Sequence, residues 1–246
     1  MIVSGNGYNA VYQELTHNTE ALGYGLATTY QLLKTLQAKI SYEKTYRLPT
    51  DRELFGDGDL EIGDNQLKPE HSNNLNLNLS YQPTFKNHSF LIEGGFAYRH
   101  VKDYIIRNIS SAGAGSSKNH GEVLNLSTDF SLRYFYKNTF SIGGNFTYMD
   151  IRNKELKTST GATSIIYNDR VPNIPYLFGN ADATYNLPNI ITKNDQLSLS
   201  YNAFYTEQFY LSWQSEGAKI IVPQQLSHDV SLTYHTPNKR LSFSVE

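Results

Sequence analysis

The residues best suited to chemistry lie between two strand-like segments, where Arg47 and Glu53 carry opposite charges. A guanidinium and a carboxylate at this spacing could bind a polar ligand together. They could equally hydrogen-bond to each other and order the loop that contains them. Both roles stay open for this pair on charge and spacing alone.

The acidic run from Asp57 to Asp64 offers the oxygen ligands that Ca²⁺ prefers. Its spacing does not match an EF-hand loop, and we expect a solvated acidic loop instead. The seven histidines show no paired spacing typical of a metal site; they include His71, His88, His100 and His120. We therefore predict no metal site.

Signatures of enzymatic chemistry are missing from the sequence. There is no nucleophile-elbow motif, and the absence of cysteine excludes disulfides, thiolate metal sites and cysteine nucleophiles. No glycine-rich phosphate loop occurs, because Gly94-Gly95 and Gly143-Gly144 fall inside strand-like segments, where we expect them to permit curvature. We predict no catalytic residues, no enzyme activity and no cofactor.

Composition and charge narrow the class further. The 246 residues have a net charge of -2 and no basic cluster, so no nucleic-acid partner is expected. No run of about 18 apolar residues occurs, so no transmembrane helix is predicted. The first residues lack the basic start and apolar core of a signal peptide, which favours a cytoplasmic protein or a piece of a longer one.

Alternation of apolar and polar residues recurs from Leu22 to the end of the chain. It predicts an all-β, antiparallel fold of about ten strands without helices, with short connections alternating with long ones. Residues 1–21 are predicted to be a loop or an incomplete strand, and Ser110 to Gly121 a flexible loop. The long connections are predicted at 47–70, 107–121, 152–175 and 214–223.

Three features favour a transmembrane barrel over a soluble β protein. The polar faces carry mainly small and amide residues, tyrosines gather near strand ends, and the strands reach the roughly 9–11 residues needed to cross a bilayer. Such strands must close into a barrel, because lipid cannot satisfy backbone groups. Strand parity then assigns four charged residues to the lumen-facing side: Glu93, Arg99, Asp129 and Arg133.

The segment from Tyr46 to Gly56, followed by Asn65 to Glu70 and an alternating strand, resembles the TonB-dependent outer-membrane receptors. The residues that carry the resemblance are Tyr46, Arg47, Pro49, Glu53, Leu54, Leu67, Lys68, Pro69 and Glu70. We expect them to be structural, because motifs shared by a whole family rarely encode individual substrates. The two prolines would end strand pairing by removing donors.

The resemblance implies a barrel of about 22 strands with an N-terminal plug inside it. The ten strands of residues 22–246 would then be a C-terminal-half segment without the plug domain. The implied function is energy-coupled uptake of a scarce nutrient, such as an iron chelate, a vitamin or a glycan, across the outer membrane of a Gram-negative bacterium. The implied partners are outer-membrane lipid, the receptor's own plug, the TonB energy-coupling complex and the small-molecule or glycan ligand.

Two alternatives remain at this point. One is a passive outer-membrane porin, which would have no plug domain. The other is a soluble or surface β-sheet protein with a binding or adhesive function, which would stay in solution without detergent. In the receptor interpretation, the long connections form the outer vestibule and the four lumen-facing residues contact the plug.

Overall fold

A computed structural model describes residues 2–4, 11–13, 20–109, 113–158, 160–217, 219–238 and 240–245. Apart from the one-turn helix α1 (Asp51–Phe55), the regular elements within these ranges are strands. In chain order they are β1 (Ile2–Ser4), β2 (Val11–Gln13), β3 (Tyr24–Leu33), β4 (Leu36–Arg47), β5 (Glu61–Ile62), β6 (Glu70–Tyr81), β7 (Thr84–Phe85), β8 (His88–Ile109), β9 (Gly115–Tyr136), β10 (Phe140–Asn153), β11 (Leu177–Pro188), β12 (Gln196–Thr206), β13 (Phe209–Tyr210), β14 (Ile221–Val222), β15 (Gln225–His235) and β16 (Ser242–Val245).

Ten strands of one sheet run antiparallel in the order β3-β4-β6-β8-β9-β10-β11-β12-β15-β16, and two short strands join that sheet, β5 parallel to β9 and β7 antiparallel to β8. Every neighbour in this sheet is the next long strand in the chain, so the connections are simple hairpins. No described strand pairs with the outer edge of β3 or of β16, and the sheet is not closed. The predicted all-β, antiparallel fold of about ten strands is confirmed.

The two faces of the sheet differ as the alternation predicts. On β6, Leu75, Leu77 and Leu79 keep 40%, 42% and 44% of their surface exposed on one face. On the opposite face, Asn74 donates to Thr45 and Asn76 donates to Ser41 of β4. The sheet therefore has an apolar face with exposed side chains and a polar face linked by hydrogen bonds between strands.

Short and long connections lie at opposite ends of the sheet, as predicted. Residues 34–35 and 137–139 are tight turns, whereas 48–69, 154–176 and 207–224 are long loops at the other end. The prediction of a loop over 107–121 is wrong for its strand residues, because β8 and β9 pair from Val101↔Val123 out to Ile109↔Gly115. Residues 110–112 lie outside the described part of the chain.

Two further predictions from the sequence change. Helix α1 contradicts the expectation of a chain without helices, although it is only one turn long. Within the predicted loop or incomplete strand at 1–21, β1 and β2 pair with each other and not with the large sheet, and most of that segment lies outside the described residues. Among the described residues, no helix is both long and apolar enough to span a membrane.

Candidate functional site

The loop between β4 and β6 begins with a capped helical turn. Glu53 N donates to Thr50 Oγ1 over 3.3 Å, and Thr50 N donates to Glu53 Oε2 over 2.8 Å. These reciprocal bonds form a capping box, which satisfies two backbone donors at the start of α1. The turn ends at Gly56, whose φ of 74° lies in the region that favours glycine. This cap fixes the carboxylate of Glu53 beside the end of β4.

Arg47 lies between two carboxylates at that end of the sheet. Its Nη1 donates to the Glu53 carboxylate over 3.1 and 3.2 Å, and its Nη2 donates to Glu70 Oε1 over 3.1 Å. Arg47 ends β4 and Glu70 begins β6, directly opposite in register. Burial alone would raise the pKa of Glu53, but the Thr50 N–H and the Arg47 guanidinium outweigh it and hold that pKa below its usual range.

Glu70 connects this pair to the next strand. Its side chain is only 4% exposed, and it also accepts the backbone N–H of Ile105 over 2.9 Å and Arg99 Nη2 over 3.4 Å. Two carboxylates and two guanidiniums therefore join β4, β6, β8 and the loop without net charge. The geometry suits ordering of the loop.

The apolar residues of the same motif form a small core beneath the loop. Leu54 and Leu67 are buried against Ile105 of β8, and Phe55 packs on the edge of the group. Leu67 is among the least exposed residues, and Pro49 is also buried. The loop is thus anchored to the β8–β9 hairpin by packing as well as by charge.

Three motif residues lie outside the charged group and the small core: Lys68 contacts Asn119 through its backbone, Pro69 follows it, and Tyr46 lies on the apolar face. Lys68 N donates to Asn119 Oδ1 over 2.7 Å, and Asn119 Nδ2 donates back to Lys68 O over 2.9 Å, while the Lys68 side chain is exposed. Pro69 follows, half-buried. The ring of Tyr46 points away from the charged group and contacts the ring of His71 at 5.3 Å between centroids.

The acidic run folds around its own backbone. Asp57 Oδ1 accepts the N–H groups of Asp59 and Glu61, and Asp57 Oδ2 pairs with Arg52 Nη2 at 2.7 Å. The Glu61 and Asp59 N–H groups lower the pKa of Asp57 to about 2. Glu61 pairs with Arg107 of β8. Within the described residues there is no group of three His, Cys, Asp or Glu side chains that could hold a metal ion.

A second apolar core ties the other long loops to the β8–β9 hairpin. Ile106 and Val123 of the hairpin pack with Ile166 and Val171 of loop 154–176 and with Trp213 of loop 207–224. Ile105 and Ile106 are neighbours on β8 but belong to different cores. The loop end of the β8–β9 hairpin, from Val101↔Val123 to Ile109↔Gly115, is called the hairpin extension. It is packed on both faces and separates loop 48–69 from the two later loops.

Polar contacts join those two later loops directly. Asp169 accepts Ser215 N over 2.7 Å and Ser215 Oγ over 2.9 Å. Asn153, which is fully buried, donates to Ile166 O over 3.0 Å. Loops 48–69, 154–176 and 207–224 and the end of the β8–β9 hairpin therefore lie at one end of the sheet.

The four predicted lumen-facing residues share the polar face but do not form one site. Arg99 is at the loop end beside Glu70, whereas Glu93 lies further down β8 and accepts Ser80 Oγ over 3.3 Å. Asp129 lies beside Gly95, its partner in register on β8. The polar face therefore distributes these charges along the strands.

Arg133 forms a bidentate ion pair on that face. Its guanidinium makes two bonds to Asp182, of 2.6 and 2.8 Å, across the intervening strand β10. Gly143 lies between them in register, opposite both residues. A Cβ at Gly143 would be 2.9 Å from the Arg133 guanidinium carbon, so glycine is what lets the pair span the strand.

A row of polar atoms beneath the loops lacks partners. Asn74 Oδ1, Arg99 Nε and Asn125 Oδ1 are buried and have no hydrogen-bond partner in the described part of the chain. The three residues are successive neighbours across β6, β8 and β9. Buried polar atoms are normally satisfied, so these three atoms are exceptions on the polar face.

The sequence itself was then compared with known protein families. A model of the TonB dependent receptor-like β-barrel matches residues 3–246. The chain belongs to that family. No match was found among curated proteins. The match covers the ten-stranded sheet and every loop of the site.

Solved structures of TonB-dependent-type transporters share the fold of this family member. The ferric-catecholate import receptor Fiu of E. coli has a TM-score of 0.65 at 15% identity, and the match covers 95% of this chain and 33% of Fiu. The FrpB iron transporter of Neisseria meningitidis has a TM-score of 0.60 at 13% identity, and the match covers 87% of this chain and 32% of FrpB. The ferric yersiniabactin uptake receptor FyuA of Yersinia pestis has a TM-score of 0.58 at 14% identity, and the match covers 85% of this chain and 29% of FyuA. The chain spans about a third of the length of each.

Several residues of the receptor site were missed by sequence reasoning. Thr50 and Glu53 match the spacing of a capping box, so that signal could have predicted α1. Trp213 is the one tryptophan of the chain, which singled it out without indicating its contacts. Asn119 and Asp169 had no local signal, because their partners come from distant segments.

Proposed function

We propose that the chain is part of the wall of an outer-membrane receptor that takes up a scarce nutrient by energy-coupled transport. The observation that carries the proposal is the family match over residues 3–246. The apolar face supports it, because large side chains such as Leu26, Phe96 and Leu199 are 79%, 45% and 46% exposed. A soluble protein would rarely leave so wide an apolar surface open to water.

The polar face would line the lumen of the barrel in this proposal. Asn74 Oδ1, Arg99 Nε and Asn125 Oδ1, which lack partners within the described residues, would contact the plug or the passing ligand just below the loops. Glu93, Asp129 and Arg133 would face the plug further down. The TonB complex would act through the rest of the receptor, and outer-membrane lipid would surround the apolar face.

Iron chelates are the first substrates to test. The similar structures include a ferric-catecholate import receptor, an iron transporter and a ferric yersiniabactin uptake receptor. Their low identity to this chain supports a shared fold and not a shared ligand. Vitamins and glycans therefore belong in the same panel.

The test is uptake by the intact receptor in a Gram-negative host that lacks its own receptors for the panel. We expect one labelled nutrient to accumulate in cells with TonB and not in otherwise identical cells without TonB. Equal accumulation in both strains would overturn energy coupling and favour a passive porin. Recovery of the protein in the soluble fraction, without detergent, would overturn the membrane barrel itself.

A further inference from the structure

A basic cluster lies on the apolar-face side of the sheet at the loop end. Asp150 and Arg152 follow Phe146 and Tyr148 at alternate positions of β10, so they share the apolar face. Asp150 Oδ1 accepts Arg152 Nε over 2.8 Å and Arg170 Nε over 3.1 Å. One carboxylate thus holds two guanidiniums side by side.

The cluster carries excess positive charge. Lys154 continues the same alternation beyond β10 and bonds through Nζ to the neutral side chain of Asn168 over 2.6 Å. Three cations therefore accompany the single carboxylate of Asp150. Within the described part of the chain, Arg152 Nη2 and Arg170 Nη1 have no hydrogen-bond partner.

Two tyrosines join this cluster to the apolar surface below. The Arg170 guanidinium lies 3.9 Å from the ring centroid of Tyr176, and its Nη2 donates to Tyr148 Oη over 3.0 Å. Tyrosines suit the boundary between hydrocarbon and water. The cluster is thus at the height where lipid head groups would lie against a membrane barrel.

An apolar groove lies below the cluster on the same strands. It is a shallow, open groove of about 450 Å³, lined by side chains of β9 and β10 that include Phe130, Leu132, Ile142 and Phe146, with Gly144 between them. Phe146 is four positions from Asp150, or about 13 Å along the strand. This is within reach of an acyl chain anchored at the cluster, because one leaflet of hydrocarbon is about 15 Å thick.

We propose that this cluster and groove bind a membrane lipid with an anionic phosphate head group. The phosphate would lie on Arg152 and Arg170, whose planar guanidiniums match phosphate oxygens, and an acyl chain would lie over Gly144. The inference rests on the proposed membrane barrel, because only then does this face meet lipid. A second copy fits less well, because a two-fold contact would place the same positive cluster against itself.

The test uses the intact receptor in nanodiscs containing equal amounts of phosphatidylglycerol and phosphatidylcholine. Native mass spectrometry of the released protein counts the molecules of each lipid that stay bound. We compare the wild type, the double variant Arg152→Gln/Arg170→Gln, and Ala181→Phe, which would fill the groove from the position opposite Gly144. Lys44→Gln removes a single cation near the same end of β4 and is the control for loss of positive charge outside the cluster.

We expect the wild type to retain phosphatidylglycerol in preference to phosphatidylcholine. The preference should fall about 25-fold in the double arginine variant, or about fivefold for each cation lost, and by at most about fivefold in Lys44→Gln, which removes one cation outside the cluster. Ala181→Phe should reduce retention of both lipids and keep the head-group preference. Circular dichroism of each variant in detergent checks that the barrel is intact.

Two results would overturn the inference. One is an unchanged preference in the double arginine variant, and the other is an equal loss in Lys44→Gln. Cross-linking of two receptors through position 181, with no bound lipid, would assign the groove to a second copy instead. A receptor that transports its nutrient but shows no lipid preference refutes this inference alone, whereas a water-soluble protein refutes the membrane barrel.

Discussion

Replacing Glu70 with Gln tests whether the charged group at the loop end orders the loop. The change keeps the shape of the side chain but removes the charge that Arg47 and Arg99 share, while Ile105 N can still donate to the amide oxygen. Breaking a fully buried ion pair costs about 3–5 kcal/mol. The two arginine side chains are 39% and 43% exposed, so solvent screening reduces the expected cost to about 2–3 kcal/mol.

The assay is hydrogen exchange of the ligand-free intact receptor, read by mass spectrometry. A loss of about 2–3 kcal/mol should accelerate exchange of peptides from loop 48–69 by about 30- to 150-fold, if those amides open locally. Peptides from the β11–β12 hairpin should not change. Glu122→Gln is the matched control, because its pair with Lys102 is exposed and contributes about 1 kcal/mol or less.

Unchanged exchange in loop 48–69 of the Glu70→Gln receptor would refute the ordering role. Loss of ligand binding without any change in exchange would instead assign Arg47 and Glu70 to ligand contact. The experiment therefore separates the two roles that charge and spacing leave open. Because no ligand is present during exchange, a faster loop can only report the receptor's own contacts.

Three further predictions follow from single contacts. Gly143→Ala should displace Arg133 from Asp182 and lower the free energy of unfolding by about 1 kcal/mol, which would be measured as a lower thermal midpoint. Gly94→Ala, where the added Cβ has no close neighbour, should leave the midpoint unchanged. Equal midpoints for the two variants would contradict this packing. Trp213→Ala should lower the free energy of unfolding by about 3 kcal/mol and speed hydrogen exchange in loops 154–176 and 207–224 together. Faster exchange in only one of these loops would contradict their shared core. The pKa of Asp57 is lowered to about 2. The hydrogen bonds that its carboxylate accepts from the Asp59 and Glu61 amides should therefore persist above pH 4 and be lost as the pH falls towards 2. Hydrogen exchange of the Glu61 amide that does not respond across this pH range would refute the prediction.

The main sheet could be predicted from sequence because its signal is local. Alternation along each strand assigns a face to every residue, and the faces of Leu75 and Asn76 follow without knowledge of any neighbour. The hairpin extension could not be read this way. Gly115 to Gly121 is rich in serine and glycine, which indicates a loop, yet packing of Ile105 and Ile106 on both faces stabilises it as strand.

The loop contacts were beyond prediction for a related reason. Ile166, Val171 and Trp213 come from segments without periodic patterning, so nothing local indicates that they share a core. A structural pairing of Arg47 with Glu53 was one of the roles predicted from the motif, but the bond from the Ile105 N–H to Glu70 was not predicted. That bond depends on the register between β6 and β8, which a single sequence does not determine.

The glycines within strands depend both on the alternation along a strand and on the register between strands. Curvature was the expected reason for them, yet on the polar face each lies beside a charged neighbour in register: Gly95 beside Asp129 and Gly143 beside Arg133. A Cβ at either position would lie within 3 Å of the charged group, so the charged side chain would have to move if the glycine were replaced. Alternation predicts that Asp129 and Arg133 face the polar side, but only the register shows why the adjacent strand carries no side chain there. The distribution of charge on this face is therefore specified by residue pairs across strands, and substitutions at the glycines should act through those charges before they act on curvature.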